Sequence, residues 1–233
     1  MAKWVLDAAY GGNDSGSVGK NNRREADIVL EAVYEAKRIL ERNGEEVLLT
    51  RVSDIYLSVH DRIEIANNWQ ADYFISFQMN SFIDKSITGT EVSIFEKGKK
   101  SEELAIFIKN ELIANLRSKD RGIKEGSYTI LRETKMPAVI VHADFLSNED
   151  VEMNFNSKKY GYMVAKACLT MVNKVLIDMP IKKAKAPKRK GFRVCIGYHR
   201  DYEEAEQEVV KLQECGLKNI YIVPYPEDNK LIK

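Results

Sequence analysis

At 233 residues the chain exceeds a typical single domain of about 100 to 200 residues but falls short of two full ones, so one main domain with a small appendage is expected. With 44% hydrophobic and 30% charged residues the composition is that of a folded globular protein, which excludes a disordered or fibrous chain. Lys and Arg number 36 against 35 Asp and Glu, a net charge of +1; no global field draws the protein to nucleic acid or acidic lipid, and any basic function must be local.

The opening Met1-Ala2-Lys3-Trp4-Val5-Leu6-Asp7 meets charged residues before a signal-peptide core of about 7 to 15 apolar residues can form. No apolar run reaches the roughly 18 residues of a membrane span. The expectation is a cytoplasmic protein with neither leader nor membrane segment. Cys168, Cys195 and Cys215 are odd in number and lack CxxC spacing, which fits reduced structural thiols.

Lys3 to Asp7 reads as a strand that runs into the turn-rich Gly11-Gly12-Asn13-Asp14-Ser15-Gly16. Between Glu25 and Arg42 the apolar Val29, Val33, Ala36 and Leu40 recur at three and four, and Asn43-Gly44 stops the pattern, so an amphipathic helix is predicted. The alternation continues with a strand at 46–51, a helix at 58–69, strands at 72–77 and 90–95, and a helix at 101–116. Strands at 129–132 and 139–144 and a helix at 157–176 complete it. Alternating elements imply an α/β fold, a mostly parallel sheet with helices on both faces. In such sheets ligands bind beyond the carboxyl ends of the strands, which gathers Asp7 to Tyr10, Gln78 to Ser81 and His142 to Phe145.

Several phrases in residues 1–180 are carried in order by one known family. They are Asp7-Ala8-Ala9-Tyr10-Gly11-Gly12, Glu25-Ala26-Asp27-Ile28, Leu49-Thr50-Arg51, Leu57 with Arg62, Ala66-Asn67 and Phe74-Ile75-Ser76-Phe77-Gln78-Met79-Asn80-Ser81. Gly89-Thr90-Glu91-Val92, Asp120-Arg121-Gly122, Leu131-Arg132-Glu133-Thr134, Met136-Pro137-Ala138-Val139 and Phe145-Leu146-Ser147-Asn148 close the set. The domain resembles the zinc-dependent N-acetylmuramoyl-L-alanine amidases, which cut peptidoglycan between the lactyl group and the stem peptide.

The resemblance implies a zinc held by His, Glu and His, with a further Glu as general base. Only one of the four is kept: Glu25 remains, Tyr10 and Gln78 occupy the two histidine positions, and His142 occupies that of the catalytic Glu. A catalytic zinc needs three good ligands and an open position. A phenol ligates well only after losing a proton of pKa about 10, and a neutral amide oxygen is a weak donor. No cofactor is therefore expected. The alternative is an active amidase whose zinc site is rebuilt from Glu25, His142 and Asp144, the last two residues sharing one face of a strand. His60 is expected at a helix cap or in solvent, and His199 has no partner in view. Arg62, Asn80, Ser81 and Asn148 match the family outside its metal site and are read as a retained groove; Arg62 could instead simply pair with a carboxylate.

From 181 to 191 the chain reads IKKAKAPKRKG, a basic linker, and 192–233 alternates strand, helix, strand. That βαβ unit resembles half of a SPOR domain, the glycan-strand binder whose complete form has two such halves. Two chains pairing through 192–233 would supply both, giving a possible homodimer; docking onto the chain's own first domain is the competing outcome. The leading reading is a non-hydrolysing peptidoglycan-binding or regulatory adaptor whose partner is peptidoglycan or a cell-wall protein, with no nucleic-acid or membrane partner. An interaction protein that has kept only the fold is a third reading.

Overall fold

The computed structural model describes residues 1–116 and 118–177. The chain divides into two units, Met1–Pro180 and Ile181–Lys233. The basic linker, the SPOR-like unit and the homodimer expected through 192–233 lie outside the described residues.

Six strands, β1 (Lys3–Ala8), β2 (Glu46–Leu49), β3 (Tyr73–Asn80), β4 (Thr90–Ile94), β5 (Asp120–Glu125) and β6 (Ala138–Phe145), form one sheet in the order β2-β1-β3-β6-β4-β5. The helices are α1 (Glu25–Arg42), α2 (Val59–Trp69), α3 (Lys100–Leu116), α4 (Thr129–Glu133), α5 (Glu149–Asn154) and α6 (Ser157–Met171). All neighbouring strands pair in parallel except β4 with β6, which run antiparallel. The expected mostly parallel α/β sheet is thus observed, with one reversal.

Alternation along the strands sorts the side chains to two faces. Leu6, Ile75, Phe77, Val139, Val141 and Val92 face the large core under α1, α3 and α6. Val5, Phe74, Ala138 and Ile140 face the smaller core under α2 and α4, with Ile63, Ala66, Ile130 and Leu131. Val29, Val33, Ala36 and Leu40 are all buried, as the spacing of α1 requires. Helices α1 and α6 approach so closely that a Cβ on Gly161 would stand 2.0 Å from the Ala32 carbonyl oxygen.

Four elements differ from the sequence reading. Residues 129–133 are a helical turn, not a strand: Ile130 and Leu131 are both buried, which a helix permits to adjacent residues and a strand would split between faces. Helix α6 ends at Met171 instead of Leu176, because Asn173 turns to a left-handed φ of 57° and Lys174 N–H closes on the Leu169 carbonyl. Strand β5 and helix α5 were absent from the reading. The first is a largely exposed edge with Ile123 as its one apolar anchor, and the second is six residues capped by Asn148.

Candidate functional site

The chain leaves β1 through Ala9, Tyr10, Gly11 and Gly12, and two buried arginines hold this turn. Arg51 donates to the carbonyls of Ala8 (2.8 Å) and Ala9 (3.0 Å), and Arg62 donates to those of Ala8 (2.6 Å) and Tyr10 (2.8 Å). Tyr10 adopts a φ of 61°, a conformation that a bulky non-glycine residue keeps only when its surroundings fix it. The clamped carbonyls supply that constraint. Asp7 completes the frame: Oδ1 accepts from Arg62 Nη1 (2.6 Å) and Thr50 Oγ1 (2.7 Å), and Oδ2 from Ser76 Oγ (2.7 Å).

Because Ile75, Phe77, Val139 and Val141 take the large-core face, alternation sends Ser76, Gln78 and His142 to the opposite one. Asp7 stands beside Ser76, Gln78 beside His142, and His142 beside Glu91 across successive strand pairs. A row of polar side chains therefore crosses the carboxyl end of the sheet. Above it opens a cleft of about 360 Å³, whose walls include Tyr56 and Arg62 on the α2 side and Tyr128 and Ile130 on the α4 side. Tyr10, Gln78 and His142, which the sequence placed together, all line it.

Gln78 Nε2 makes one long contact, 3.4 Å to Ser76 Oγ. His142 Nδ1 lies 3.3 Å from the Met79 carbonyl. A carbonyl can only accept, so Nδ1 carries the proton and Nε2 is an acceptor. Burial pushes the His142 pKa below its ordinary value, keeping the ring neutral at pH 7, although the Met79 carbonyl and Glu91 pull the other way.

Glu25, the first residue of α1, is fully buried and is not among the residues lining the cleft. Its Oε1 accepts Met79 N–H (2.6 Å) and its Oε2 accepts Ser17 N–H (2.9 Å). Desolvation raises its pKa to about 7, against the lowering effect of those two donors. The Tyr10 phenol is pushed well above its ordinary value by burial first, then by the negative charge of Glu25 and Asp14.

This donor set does not fit a zinc ion. Tyr10 is held protonated, Gln78 offers a neutral amide, and Glu25 alone brings an anionic donor whose two oxygens each already serve a backbone amide. Asp144, the third member of the alternative site, is directed elsewhere. Its Oδ1 accepts from Gly89 N (2.8 Å) and Phe145 N (2.8 Å), and its Oδ2 from Ser118 Oγ (3.0 Å). Among the described residues no three His, Cys, Asp or Glu side chains stand together as a metal site.

The residues assigned to the groove divide. Arg62 lines the cleft but is committed to Asp7 and to backbone carbonyls. Asn80 donates to Glu91 (3.0 Å) and accepts from the exposed Ser81 (3.0 Å), while Asn148 caps α5 and donates to the Lys85 carbonyl (2.8 Å). None of these last three is among the lining residues. His60 is exposed, 3.8 Å from Glu133, and the cap of α2 is made by Ser58 with Asp61. Sequence reasoning missed Tyr56 and Tyr128. Both sit in loops just before a helix, where no periodicity marks them; Gly126 two residues before Tyr128 was the available signal for that residue, and Tyr56 has none.

Residues 5–174 match the family model described as N-acetylmuramoyl-L-alanine amidase. The chain is 32% identical over 171 residues to the uncharacterized protein YqiI of Bacillus subtilis (strain 168), covering 72% of this chain and 82% of that protein. It is 36% identical over 149 residues to the sporulation-specific N-acetylmuramoyl-L-alanine amidase of the same organism, covering 63% of this chain but 57% of that one. Among solved structures, the catalytic domain of CwlV, an N-acetylmuramoyl-L-alanine amidase from Bacillus (Paenibacillus) polymyxa var. colistinus, superposes with a TM-score of 0.70 at 30% identity, covering 74% of this chain and 99% of that domain. The CwlD amidase of Clostridioides difficile, in complex with the GerS lipoprotein, gives a TM-score of 0.68 at 26% identity, covering 74% and 97%. On the family match, these relatives and the shared fold, this chain belongs to the N-acetylmuramoyl-L-alanine amidase family.

Proposed function

We propose that this chain is a non-hydrolysing member of its family, a peptidoglycan-binding or regulatory adaptor of the cell wall. One observation carries the reading: Tyr10, Gln78 and His142 meet in the cleft as three neutral hydrogen-bonding groups, while the Glu25 carboxylate serves the backbone of residues 17 and 79. Such a cleft can orient a ligand through its amide, imidazole and phenol, but these groups offer no strongly acidic donor and no anionic base near neutral pH. The remaining framework, Asp7 with Arg62, Thr50 and Ser76, keeps the shape of the turn without joining in chemistry. The relatives' names, which describe amidases, support peptidoglycan as the surface this cleft meets.

The test is made on the purified full chain with peptidoglycan sacculi. Co-sedimentation with sacculi, substoichiometric zinc and no dye release from labelled sacculi are expected. Stoichiometric zinc together with dye release would replace this reading by the active-amidase alternative, and failure to co-sediment would remove the wall-binding role.

A further inference from the structure

Between β2 and α2 the chain crosses 50–58 without regular structure, yet this segment is tied down along its length. The Tyr34 hydroxyl donates to the Val52 carbonyl, Arg51 Nη1 and Ile55 N–H both donate to that of Ser53 (each 3.0 Å), and Arg62 Nε donates to that of Leu57 (3.2 Å). Asp54 accepts from Gly12 N–H (2.9 Å) and from Arg24 Nη2 (2.9 Å). Behind it, a Cβ on Gly11 would stand 2.3 Å from the Ile55 carbonyl oxygen and one on Gly12 would stand 2.6 Å from the Tyr56 nitrogen. A surface segment fixed this firmly loses little further entropy when something binds to it.

What the segment presents is apolar. Tyr34, Val52, Ile55, Tyr56 and Val59 are each between 44% and 64% exposed. The Tyr34 bond joins α1 to Val52, and Tyr56 and Val59 stand on the α2 wall of the cleft, so the strip runs from α1 to that wall. Apolar residues scattered singly over a surface are ordinary, whereas five gathered around one rigid segment mark a contact surface.

The charges beside the strip are of one sign. Between Val52 and Glu64 the acids Asp54, Asp61 and Glu64 are exposed, and the one lysine or arginine, Arg62, is buried on Asp7 and backbone carbonyls. On α1 and at its start the nearby cations are answered already, Arg24 by Asp27 and Asp54, Lys37 by Glu41, and Arg38 by Glu35. Asp61 and Glu64 have no ion-pair partner among the described residues.

We propose that this strip docks a basic amphipathic segment of a partner protein, its aliphatic side chains packed on Val52, Ile55 and Tyr56 and its lysines or arginines facing Asp61 and Glu64. The inference goes beyond the reading of the cleft and holds whatever the cleft binds. An apolar centre with a charged rim is the makeup of a specific protein contact, in which the centre supplies affinity and the rim supplies rate and choice of partner. Other occupants meet the same charges unfavourably. A second copy on a two-fold axis would set Asp54, Asp61 and Glu64 near their own equivalents, and an anionic lipid surface would repel them likewise.

The experiment titrates the isotope-labelled full chain, by heteronuclear NMR, with a synthetic amphipathic helical peptide made only of leucine and lysine, and with the same peptide carrying glutamate in place of lysine. A saturable response of Val52, Ile55, Tyr56 and Val59 to the lysine peptide, about fivefold weaker at high salt, and none to the glutamate peptide are expected. Ile55→Ser and Glu64→Lys should each weaken lysine-peptide binding about fivefold to tenfold. Glu64 lies on the exposed face of α2, so that variant keeps the fold and reads charge alone. Equal binding of both peptides, responses that map away from 52–59, or affinity indifferent to both variants would overturn the proposal. So would light scattering that finds the full chain dimeric and Ile55→Ser monomeric, which gives the strip to a second copy. Sacculus binding lost in Ile55→Ser would overturn it too, by giving the strip to the wall. A parent chain that binds the lysine peptide at 52–59 and not sacculi removes the wall-binding reading and supports this one.

Discussion

Arg62 Nη1 lies 2.6 Å from Asp7 Oδ1 with both side chains almost completely buried, an ion pair that ties the end of β1 to the start of α2. Removing one partner of such a pair leaves a desolvated charge behind. Arg62→Leu should therefore lower the unfolding free energy by about 3 to 5 kcal/mol, and it also frees the carbonyls of Ala8 and Tyr10. Chemical denaturation of the variant checks this; a loss below about 1 kcal/mol would mean that Thr50 and Ser76 satisfy Asp7 unaided.

The buried Glu25 makes stability depend on pH in a direction opposite to a salt-bridged carboxylate. Its pKa is about 7 in the folded chain against an ordinary 4.5. Between these values the native protein holds a proton that the unfolded chain has lost, so this group's contribution falls as pH rises through the window and levels off above 7. The whole effect is at most about 3 kcal/mol. In Glu25→Gln that component disappears, and the difference in Tm between variant and parent should move in the variant's favour from pH 5 to pH 8. A difference that stays constant across this range would contradict the assignment.

Restoring Tyr10→His and Gln78→His together should create zinc affinity that the parent chain lacks. Each Glu25 oxygen has a second lone pair beyond the one its backbone donor uses, and His tolerates the left-handed conformation of position 10 better than most residues. Metal analysis after dialysis reads the stoichiometry, and a zinc-dependent rise in Tm confirms that the native state binds it. For the parent chain, added chelator should leave Tm unchanged.

Gly161→Ala tests the packing of α1 against α6. The added methyl would meet the Ala32 carbonyl at 2.0 Å, and that oxygen belongs to helix backbone that cannot swing aside. A destabilisation of about 1 to 3 kcal/mol or more is expected, seen as a lower denaturation midpoint with the slope preserved.

The amphipathic period of α1 and the apolar runs of β1, β3 and β6 made most of the fold legible, because burial on one or both faces writes itself into spacing. Thr129 to Arg132 misled for the converse reason. A single helical turn is too short to show a period, and two adjacent apolar residues fit strand or helix equally. In the cleft, Tyr10, Gln78 and His142 could be brought together from sequence because each stands at the end of a predicted strand. The duty of Glu25 toward Ser17 and Met79 could not, since a carboxylate that serves distant backbone amides leaves no mark in spacing. Tyr56 was hidden similarly: its backbone packs on Gly12, more than forty positions away in the chain.

The reversal of β4 against β6 divides the molecule's loops between two ends in a way a wholly parallel sheet would not. The segment 81–89 lies at the end that carries the cleft, joining β3 to the start of β4, whereas 95–99 leaves β4 at the opposite end, near where β6 begins. A fluorophore or affinity tag placed in the exposed 95–99 loop would thus stand a full strand length from Gln78 and His142, while the same label within 81–89 would crowd the rim. The 95–99 loop adjoins Glu125 and follows Ile94, whose carbonyl accepts from Gly126, and these residues lead into Tyr128, so a tag there stays clear of Gln78 and His142 but borders that wall of the cleft.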